Sequence, residues 1–180
     1  AQVKVWHHLG FSDVSIAVNL SLAQFNDEGL FNKVQLALSL SNLAPHYLEL
    51  ELTESIAMKN AEAAINITRQ LADLGIQLSI DDFGTGYSSL SYLQQFSLHK
   101  LKIDQSFSFK MVENKETENI VNAIISMAKS LHLKTIAEGV ETIEQLHLLE
   151  QKQCDEIQGY YFSKPIPAEA FTQLLRSQDF

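Results

Sequence analysis

The sequence has few of the features that mark secreted or membrane-spanning chains. Cys154 is the only cysteine, so no disulfide can form within the chain and a reducing compartment is expected. No apolar run approaches the ~18 residues needed to span a bilayer, and no signal-peptide pattern opens the chain. We therefore expect a cytoplasmic location, with any tether to a membrane made through segments upstream of Ala1.

Basic residues are also scarce. The 13 Lys and Arg residues are outnumbered by 22 Asp and Glu residues, which gives a net charge of -9 at pH 7. An acidic surface argues against non-specific binding to a nucleic acid polymer, which needs cations facing the phosphates. It does not argue against a small phosphate ligand, because a bound metal ion can supply positive charge locally.

The chain has no Gly/Ser linker, no low-complexity segment and no block of like charge. Its 180 residues, 46% of them hydrophobic, fit one globular domain with a substantial core. The first residue is Ala1 rather than methionine, and the segment Ala1–Trp6 has the pattern of the end of an amphipathic helix. We therefore expect residues 1–180 to form one domain of a longer chain.

Short β-branched or apolar runs alternate with longer segments of helical period. The predicted strands are Val14–Leu20, Tyr47–Leu52, Gln77–Ile80, Leu98–Ile103, Lys134–Ala137 and Ile157–Phe162. The predicted helices are Leu30–Ser41, Ala57–Leu74, Glu116–Leu131, Glu141–Gln151 and Ala168–Arg176. Such repeats imply parallel strands joined by right-handed crossovers, and eight of them close a barrel. The predicted fold class is α/β, a TIM-like (β/α) barrel with about six of its eight units.

Polar residues recur near the ends of the predicted strands, where β/α barrels place their active sites. They are Asn19, Glu51, Glu54, Asp81, Asp82, Lys102, Asp104, Glu138 and, in the last strand, Gln158. Each alone has an ordinary explanation, since acids after strands often cap helices and a lysine in an apolar strand is often paired. The set as a whole needs another explanation, because carboxylates that converge at one place repel each other unless they are protonated or bound to cations.

Oxygen ligands suit Mg²⁺ or Mn²⁺, and the six scattered histidines show no ligand spacing that would favour zinc. The neighbouring acids Asp81 and Asp82 can present carboxylates to two ions, the arrangement used to cut phosphodiesters. Lys102 is suited to stabilise negative charge that develops during such a reaction. The residues therefore predict metal-dependent phosphoryl chemistry, without naming a substrate.

The segment Asp81–Leu90, DDFGTGYSSL, closely resembles the signature loop of EAL-domain phosphodiesterases. The resemblance continues in family order through VNLS at 18–21, ELTES at 51–55, LKID at 101–104, AEGVET at 137–142 and QGYYFSKP at 158–165. These ordered motifs cover essentially the whole chain.

The resemblance implies a role for each polar residue. The implied metal ligands are Asn19, Glu51, Asp81, Asp82 and Glu138. Glu138 matches the carboxylate that also helps to activate water, and Lys102 matches the essential catalytic lysine. Glu54 matches the anchor of the loop from Asp82 to Ser89, which couples metal binding to dimer contacts. The implied residues around the substrate or supporting the site are Asp104, Gln158 and Glu141.

The resemblance further implies hydrolysis of cyclic di-GMP to linear pGpG with two Mg²⁺ or Mn²⁺ ions in a bacterial signalling protein. It implies a homodimer and an upstream sensory or diguanylate cyclase-like domain. The Glu-Ala-Leu motif, whose glutamate is a metal ligand in the family, is absent from this chain. Two alternatives therefore stay open: a receptor that binds cyclic di-GMP without hydrolysing it, and a dimerisation or scaffold module that binds no nucleotide.

Overall fold

All six predicted strands occur, and they form one parallel sheet in chain order. The computed structural model describes residues 1–86 and 90–177. Alternating residues of the central strands, such as Leu78 and Ile80, are fully buried, which is why these short runs form strands. The strands are β1 (Ile16–Asn19), β2 (Leu48–Thr53), β3 (Gln77–Phe83), β4 (Lys100–Ile103), β5 (Lys134–Ala137) and β6 (Glu156–Ile157).

Helices connect the strands and cover the outer face of the sheet. The long helix over residues 115–130 buries Val121, Ile125 and Ala128 on one stripe, so its apolar period decides which face packs inward. The helices are α1 (Gln2–His8), α2 (Leu22–Phe25), α3 (Leu30–Ser41), α4 (Glu54–Lys59), α5 (Ala61–Asp73), α6 (Leu90–Leu93), α7 (Gln105–Lys110), α8 (Lys115–Ser130), α9 (Ile143–Gln151) and α10 (Ala168–Ser177).

The predicted helix Ala57–Leu74 is wrong, because the structure contains two helices there, α4 and α5. The break lies at Asn60, whose φ of -143° is incompatible with a continuous helix. The Asn60 side chain accepts a hydrogen bond from the Ala63 amide at 3.3 Å and so caps α5. The sequence shows this cap only as one polar residue inside an otherwise helical pattern.

The predicted last strand, Ile157–Phe162, is also wrong in extent, since β6 covers only Glu156–Ile157. Gly159 ends the strand because its backbone passes directly against Val140. A Cβ at position 159 would lie 2.0 Å from the Val140 carbonyl oxygen. Gln158 therefore follows the last strand instead of lying within it.

The predicted bounds of β3 are too short at the carboxyl end. The strand extends to Phe83, so Asp81 and Asp82 lie inside it rather than after it. The predicted signature loop continues from there, and the structure describes it as far as Gly86, while residues 87–89 fall outside the described residues.

The sheet is a curled partial barrel, as predicted from the repeated strand–helix units. β1 and β6 form the two ends of the strand order, so the sheet is not closed among the described residues. Helices α1 and α10 nevertheless meet: the Trp6 and Phe171 rings pack edge to face at 5.0 Å, and Trp6 Nε1 donates to Thr172 Oγ1 at 2.8 Å. Of the helices in the described ranges, none has the length and apolar character to cross a membrane.

Candidate metal centre

The parallel register of the sheet brings the predicted polar residues to one end of its concave face. Asn19 is paired in register with Glu51, and Thr53 with Asp81, so the carboxyl ends of β1, β2 and β3 lie side by side. Strand β4 contributes Lys102, and Glu138 is the residue that directly follows β5. The residues brought together here are Asn19, Glu51, Asp81, Asp82, Lys102 and Glu138.

A backbone irregularity in β3 lets two adjacent acids face the same site. Neighbouring residues of a regular strand point to opposite faces of the sheet. The pairing of β3 with β4 shifts register between Ile80 and Phe83, and Asp82 has a left-handed φ of +55°. Carboxylate oxygens of Asp81, Asp82 and Glu138 consequently all lie within 4.8 Å of one another.

Lys102 lies at the centre of the acids and is itself buried, with 3% of its surface exposed. Its Nζ atom lies 3.0 Å from Glu51 Oε1, 3.0 Å from Asp81 Oδ1 and 2.8 Å from Glu138 Oε1. Burial alone would lower the pKa of Lys102, but the carboxylates of Glu138 and Asp81 outweigh it and raise that pKa well above its usual value. The lysine is therefore charged at neutral pH. Glu51, Asp81, Lys102 and Glu138 form the upper layer of the barrel interior.

One lysine does not neutralise the acids around it. Burial raises the pKa of Glu138, and the Lys102 ammonium opposes this shift only in part. Burial also raises the pKa of Glu51 and of Asp82, and the charge of Asp81 adds to both shifts. These carboxylates are consequently held in a field that favours a proton or an additional cation.

Asn19 joins the same network from the edge of the sheet. When its amide nitrogen faces the acids, it donates to Glu51 Oε2 at 3.1 Å and to Asp81 Oδ2 at 3.3 Å. Its oxygen is a ligand type that Mg²⁺ accepts, and a half-turn of the amide presents that oxygen to the same position. The predicted ligands therefore lie together, and their role as ligands stays a prediction.

Three predicted substrate or supporting residues lie around this cluster. Asp104 caps α7, accepting a hydrogen bond from the Ser106 amide at 3.0 Å, and its charge contributes to raising the pKa of Asp82. Gln158 and Glu141 are exposed and line a cavity of about 360 Å³ beside Glu138. The structure thus places the latter two at the open side of the site, where a ligand can reach them.

Glu54 begins α4 and lies under the loop that follows β3. Its Oε2 atom accepts hydrogen bonds from the amides of Gly84 at 3.1 Å and Gly86 at 3.3 Å. The side chain is buried, with 2% exposed, so the carboxylate binds the loop in a site that water does not reach. These contacts fit the predicted anchoring role, and any link to dimerisation stays a prediction.

Sequence reasoning missed a second charged group, deeper in the barrel. Lys100 Nζ contacts Glu49 Oε2 at 3.1 Å and Glu156 Oε2 at 2.7 Å. The signal for it is present in the sequence: Glu49 and Lys100 each lie two residues before a predicted site residue, on the same face of the same strand. These three residues form the lower layer of the barrel interior.

This chain is similar to known proteins in both sequence and fold. The family model described as "EAL domain" matches residues 1–165. The signaling protein YkoW of Bacillus subtilis is 45% identical over 98% of this chain, and the cyclic di-GMP phosphodiesterase NbdA of Pseudomonas aeruginosa is 43% identical over 97%. The chain spans 22% of the length of each of these relatives.

A solved structure of the MucR phosphodiesterase in complex with c-di-GMP superposes on the chain with a TM-score of 0.92 and 44% identity. The match covers 94% of this chain and 69% of that one. The resemblance expected from the ordered motifs is thereby confirmed. The chain belongs to the EAL domain family.

Proposed function

We propose that the protein to which this domain belongs hydrolyses cyclic di-GMP to linear pGpG with the help of divalent metal ions. The observation that carries the proposal is the convergence of Asp81, Asp82 and Glu138 within 4.8 Å, beside the buried Lys102. The relatives support the substrate, since NbdA is named a cyclic di-GMP phosphodiesterase and MucR was solved in complex with c-di-GMP.

The donor set fits Mg²⁺ or Mn²⁺, because it consists of oxygen atoms and holds more negative charge than Lys102 balances. Asp81, Asp82 and Glu138 would hold the ions, with Asn19 and Glu51 beside them. When bound, such ions lower the pKa of water and draw electrons from the phosphate oxygens. We propose two ions, since adjacent carboxylates suit a paired site.

The protein residues have separate tasks in the proposed reaction. The water oxygen forms a bond to phosphorus, a P–O bond to ribose breaks, and the leaving oxygen takes up a proton. Lys102 is a fixed positive charge that stabilises the negative charge developing on the phosphate oxygens. Glu138, whose carboxylate lies within 4.8 Å of those of Asp81 and Asp82, is suited to accept the proton of the water.

The cavity beside Glu138 supports binding of a polar ligand next to these groups. Its volume is about 360 Å³, and Gln105, Glu141 and Gln158 contribute polar side chains to its wall. We propose that Gln158 and Glu141 position the nucleotide and the water around it, while Asp104 supports the site through Asp82.

Further parts of the proposal concern the longer protein. We propose that upstream strands complete the barrel and supply the glutamate of the Glu-Ala-Leu motif. A homodimer, an upstream sensory or diguanylate cyclase-like domain and a cytoplasmic location also remain proposals. The length of the relatives supports additional domains, since residues matched by this chain make up 22% of YkoW.

A chromatographic assay for pGpG tests the function. Cyclic di-GMP and Mg²⁺ or Mn²⁺ are incubated with this chain and with a version extended upstream to the family's first strands. We expect the extended version to form pGpG and its Glu138→Gln variant to lose about 100-fold or more in rate. The variant Glu144→Gln, which makes the same chemical change at an exposed position, serves as the matched control.

Three outcomes separate the alternatives. Formation of pGpG that Glu138→Gln abolishes and Glu144→Gln does not supports the phosphodiesterase. Thermal stabilisation by cyclic di-GMP without product overturns it in favour of a receptor, because a ligand that binds only the folded state raises stability. Neither product nor stabilisation overturns it in favour of a scaffold.

A further inference from the structure

The lower layer repeats the upper layer two residues closer to the start of each strand. On β2, Glu49 precedes Glu51, and on β4, Lys100 precedes Lys102, so each pair shares one face of its strand. The ion pairs repeat in the same way, with Lys100 bound to Glu49 at 3.1 Å and Lys102 bound to Glu51 at 3.0 Å. Both lysine side chains are mostly buried, so these ion pairs lie in the interior of the barrel and not on its surface.

The lower layer joins strands that are not neighbours. Glu49, Lys100 and Glu156 belong to β2, β4 and β6, which alternate in the strand order. Side chains of alternate strands meet only on the concave face of a curled sheet, as in the side-chain layers of β/α barrels. The contacts of Lys100 therefore span most of the sheet and depend on its curvature.

The acids of the upper layer are carried by the same strands. Glu51 lies on β2, Asp81 on β3, and Glu138 directly follows β5, where its amide donates to the Ile103 carbonyl at 3.1 Å. A flatter sheet would move β2 and β5 apart and would separate Glu51 from Glu138. The spacing of the proposed ligands thus depends on what holds the curl.

We infer that Lys100 is a positioning residue, which sets the curvature of the sheet and thereby the spacing of the proposed metal ligands. The inference rests on the proposed function, since it concerns the same site. Glu49 and Glu156 are its two attachment points, at opposite sides of the concave face. Lys102 is unsuited to this task, because bound cations would compete for the carboxylates that it contacts.

The surroundings of Glu49 point the same way. Glu49 Oε1 is buried and has no hydrogen-bond partner among the described residues. Lys100 is the ion-pair partner of Glu49 among the described residues, so without it Glu49 would be an unpaired buried carboxylate.

Binding of Mn²⁺ alone to the full-length protein, measured by calorimetry and by the electron paramagnetic resonance of the bound ion, tests the inference. Lys100→Met removes the link, and Lys100→Arg keeps a cation able to reach both acids. Lys100→Met combined with Glu49→Gln removes the link without leaving Glu49 charged and unpaired. The matched control is Lys134→Met, which removes a 66% exposed lysine that lies 3.7 Å from Glu156 and pairs with no second acid within the ranges 1–86 and 90–177.

We expect both Lys100→Met proteins to bind Mn²⁺ about tenfold or more weakly, as for losses of residues that orient metal ligands. Lys100→Arg and Lys134→Met should stay close to the wild-type affinity and spectrum. A folded double variant with wild-type Mn²⁺ affinity overturns the inference, even if the wild type forms pGpG. The two proposals can also fail separately. If the Lys100→Met proteins lose Mn²⁺ affinity as expected but the wild type forms no pGpG, the inference is supported and the proposed phosphodiesterase is overturned.

Discussion

At Asp82 the chain adopts a φ of +55°, a conformation that costs a non-glycine residue about 1–3 kcal/mol. Aspartate tolerates the left-handed region better than most residues do. This backbone conformation turns the carboxylate of Asp82 toward the same site as that of Asp81, within 4.8 Å of Glu138. Asp82 thus places backbone strain where the proposed ligands converge, as in many functional sites, whereas the positive φ angles of Asn42, His132 and Gln153 lie at or just after helix ends.

Proton release on metal binding is expected from the raised pKa values of Glu51, Asp82 and Glu138. The metal-free folded protein holds protons that an unfolded chain releases above about pH 4. Its free energy of unfolding should therefore fall as the pH rises from the ordinary carboxyl range through the raised pKa values. The affinity for Mn²⁺ should rise through the same window, because the ion displaces those protons.

Calorimetric titration with Mn²⁺ at several pH values, in buffers of different ionisation enthalpy, measures both the affinity and the protons released. Asp82→Asn should reduce the number of protons released. Glu118→Gln serves as the control, because that carboxyl group lies outside the site, has a pKa lowered by its bonds to Lys115 and Lys152, and pairs with no other cation among the described residues. An affinity that does not change as the pH rises from the ordinary carboxyl range to neutrality would contradict the expectation.

For the individual residues, the sequence indicated which side chains converge but not the backbone geometry that brings them together. Acids at the ends of successive parallel strands must meet at one edge, so Glu51, Asp81 and Glu138 could be predicted from pattern alone. The bulge at Asp82 could not, because a positive φ leaves no mark in a strand-like sequence. Lys100 was missed because a lysine in a strand is usually explained as a paired or partly exposed residue.

Among the elements, the segment after β3 depends on the absence of a side chain at Gly86. A Cβ there would lie 2.8 Å from Glu54 Oε1 and 3.0 Å from Glu54 Cδ. Because Glu54 is buried under the segment, its carboxylate has little room to withdraw. The glycine therefore permits the two hydrogen bonds that hold the segment to α4.

Gly86→Ala should loosen this segment while leaving the barrel folded. Losing a hydrogen bond to a buried carboxylate costs about 1–3 kcal/mol, which corresponds to about 5-fold to 150-fold faster exchange of the Gly84 amide. Native-state hydrogen exchange followed by NMR measures this. Ser55→Ala, at an exposed position next to Glu54, should leave the exchange unchanged. Equal protection in Gly86→Ala and the wild type would show that Glu54 does not hold the segment.

The elements themselves were predictable to different degrees. β2 and β4 alternate apolar with charged residues, and the apolar ones, such as Leu50, Leu52 and Leu101, are buried, so the period of two placed these strands. β6 was overextended, since Tyr160, Tyr161 and Phe162 have strand-like composition but are partly exposed and follow a turn at Gly159. What stops that strand is a close backbone approach to Val140, a tertiary contact without a local signal.

For the whole molecule, the contact between α1 and α10 joins positions 166 residues apart. Trp6 is 9% exposed, packs on Phe171 and donates a hydrogen bond to Thr172. Repeated strand–helix units predicted a barrel, but nothing in the sequence indicated that the first and last described helices meet. The contact holds the two ends of an unclosed sheet at a fixed separation.

A double-mutant cycle measures this contact. Trp6→Phe keeps an aromatic ring and removes the donor, while Thr172→Val removes the acceptor. We expect a coupling energy of about 0.5–1.5 kcal/mol in the free energy of unfolding, the net value of one hydrogen bond. Thr172→Ser retains the hydroxyl and should retain the coupling. Additive effects of Trp6→Phe and Thr172→Val in urea denaturation would show that the bond does not stabilise the fold.

The same contact has a mechanical consequence. A tension applied between the first and last described residues meets the Trp6–Thr172 bond and the Trp6–Phe171 stacking before it reaches the intervening chain. While the contact between α1 and α10 is intact, the strands between these helices are not under tension, so the applied force does not change the spacing of the carboxylates. If the contact breaks, the force passes first to the edge strands β1 and β6 and only then to the strands that carry the site.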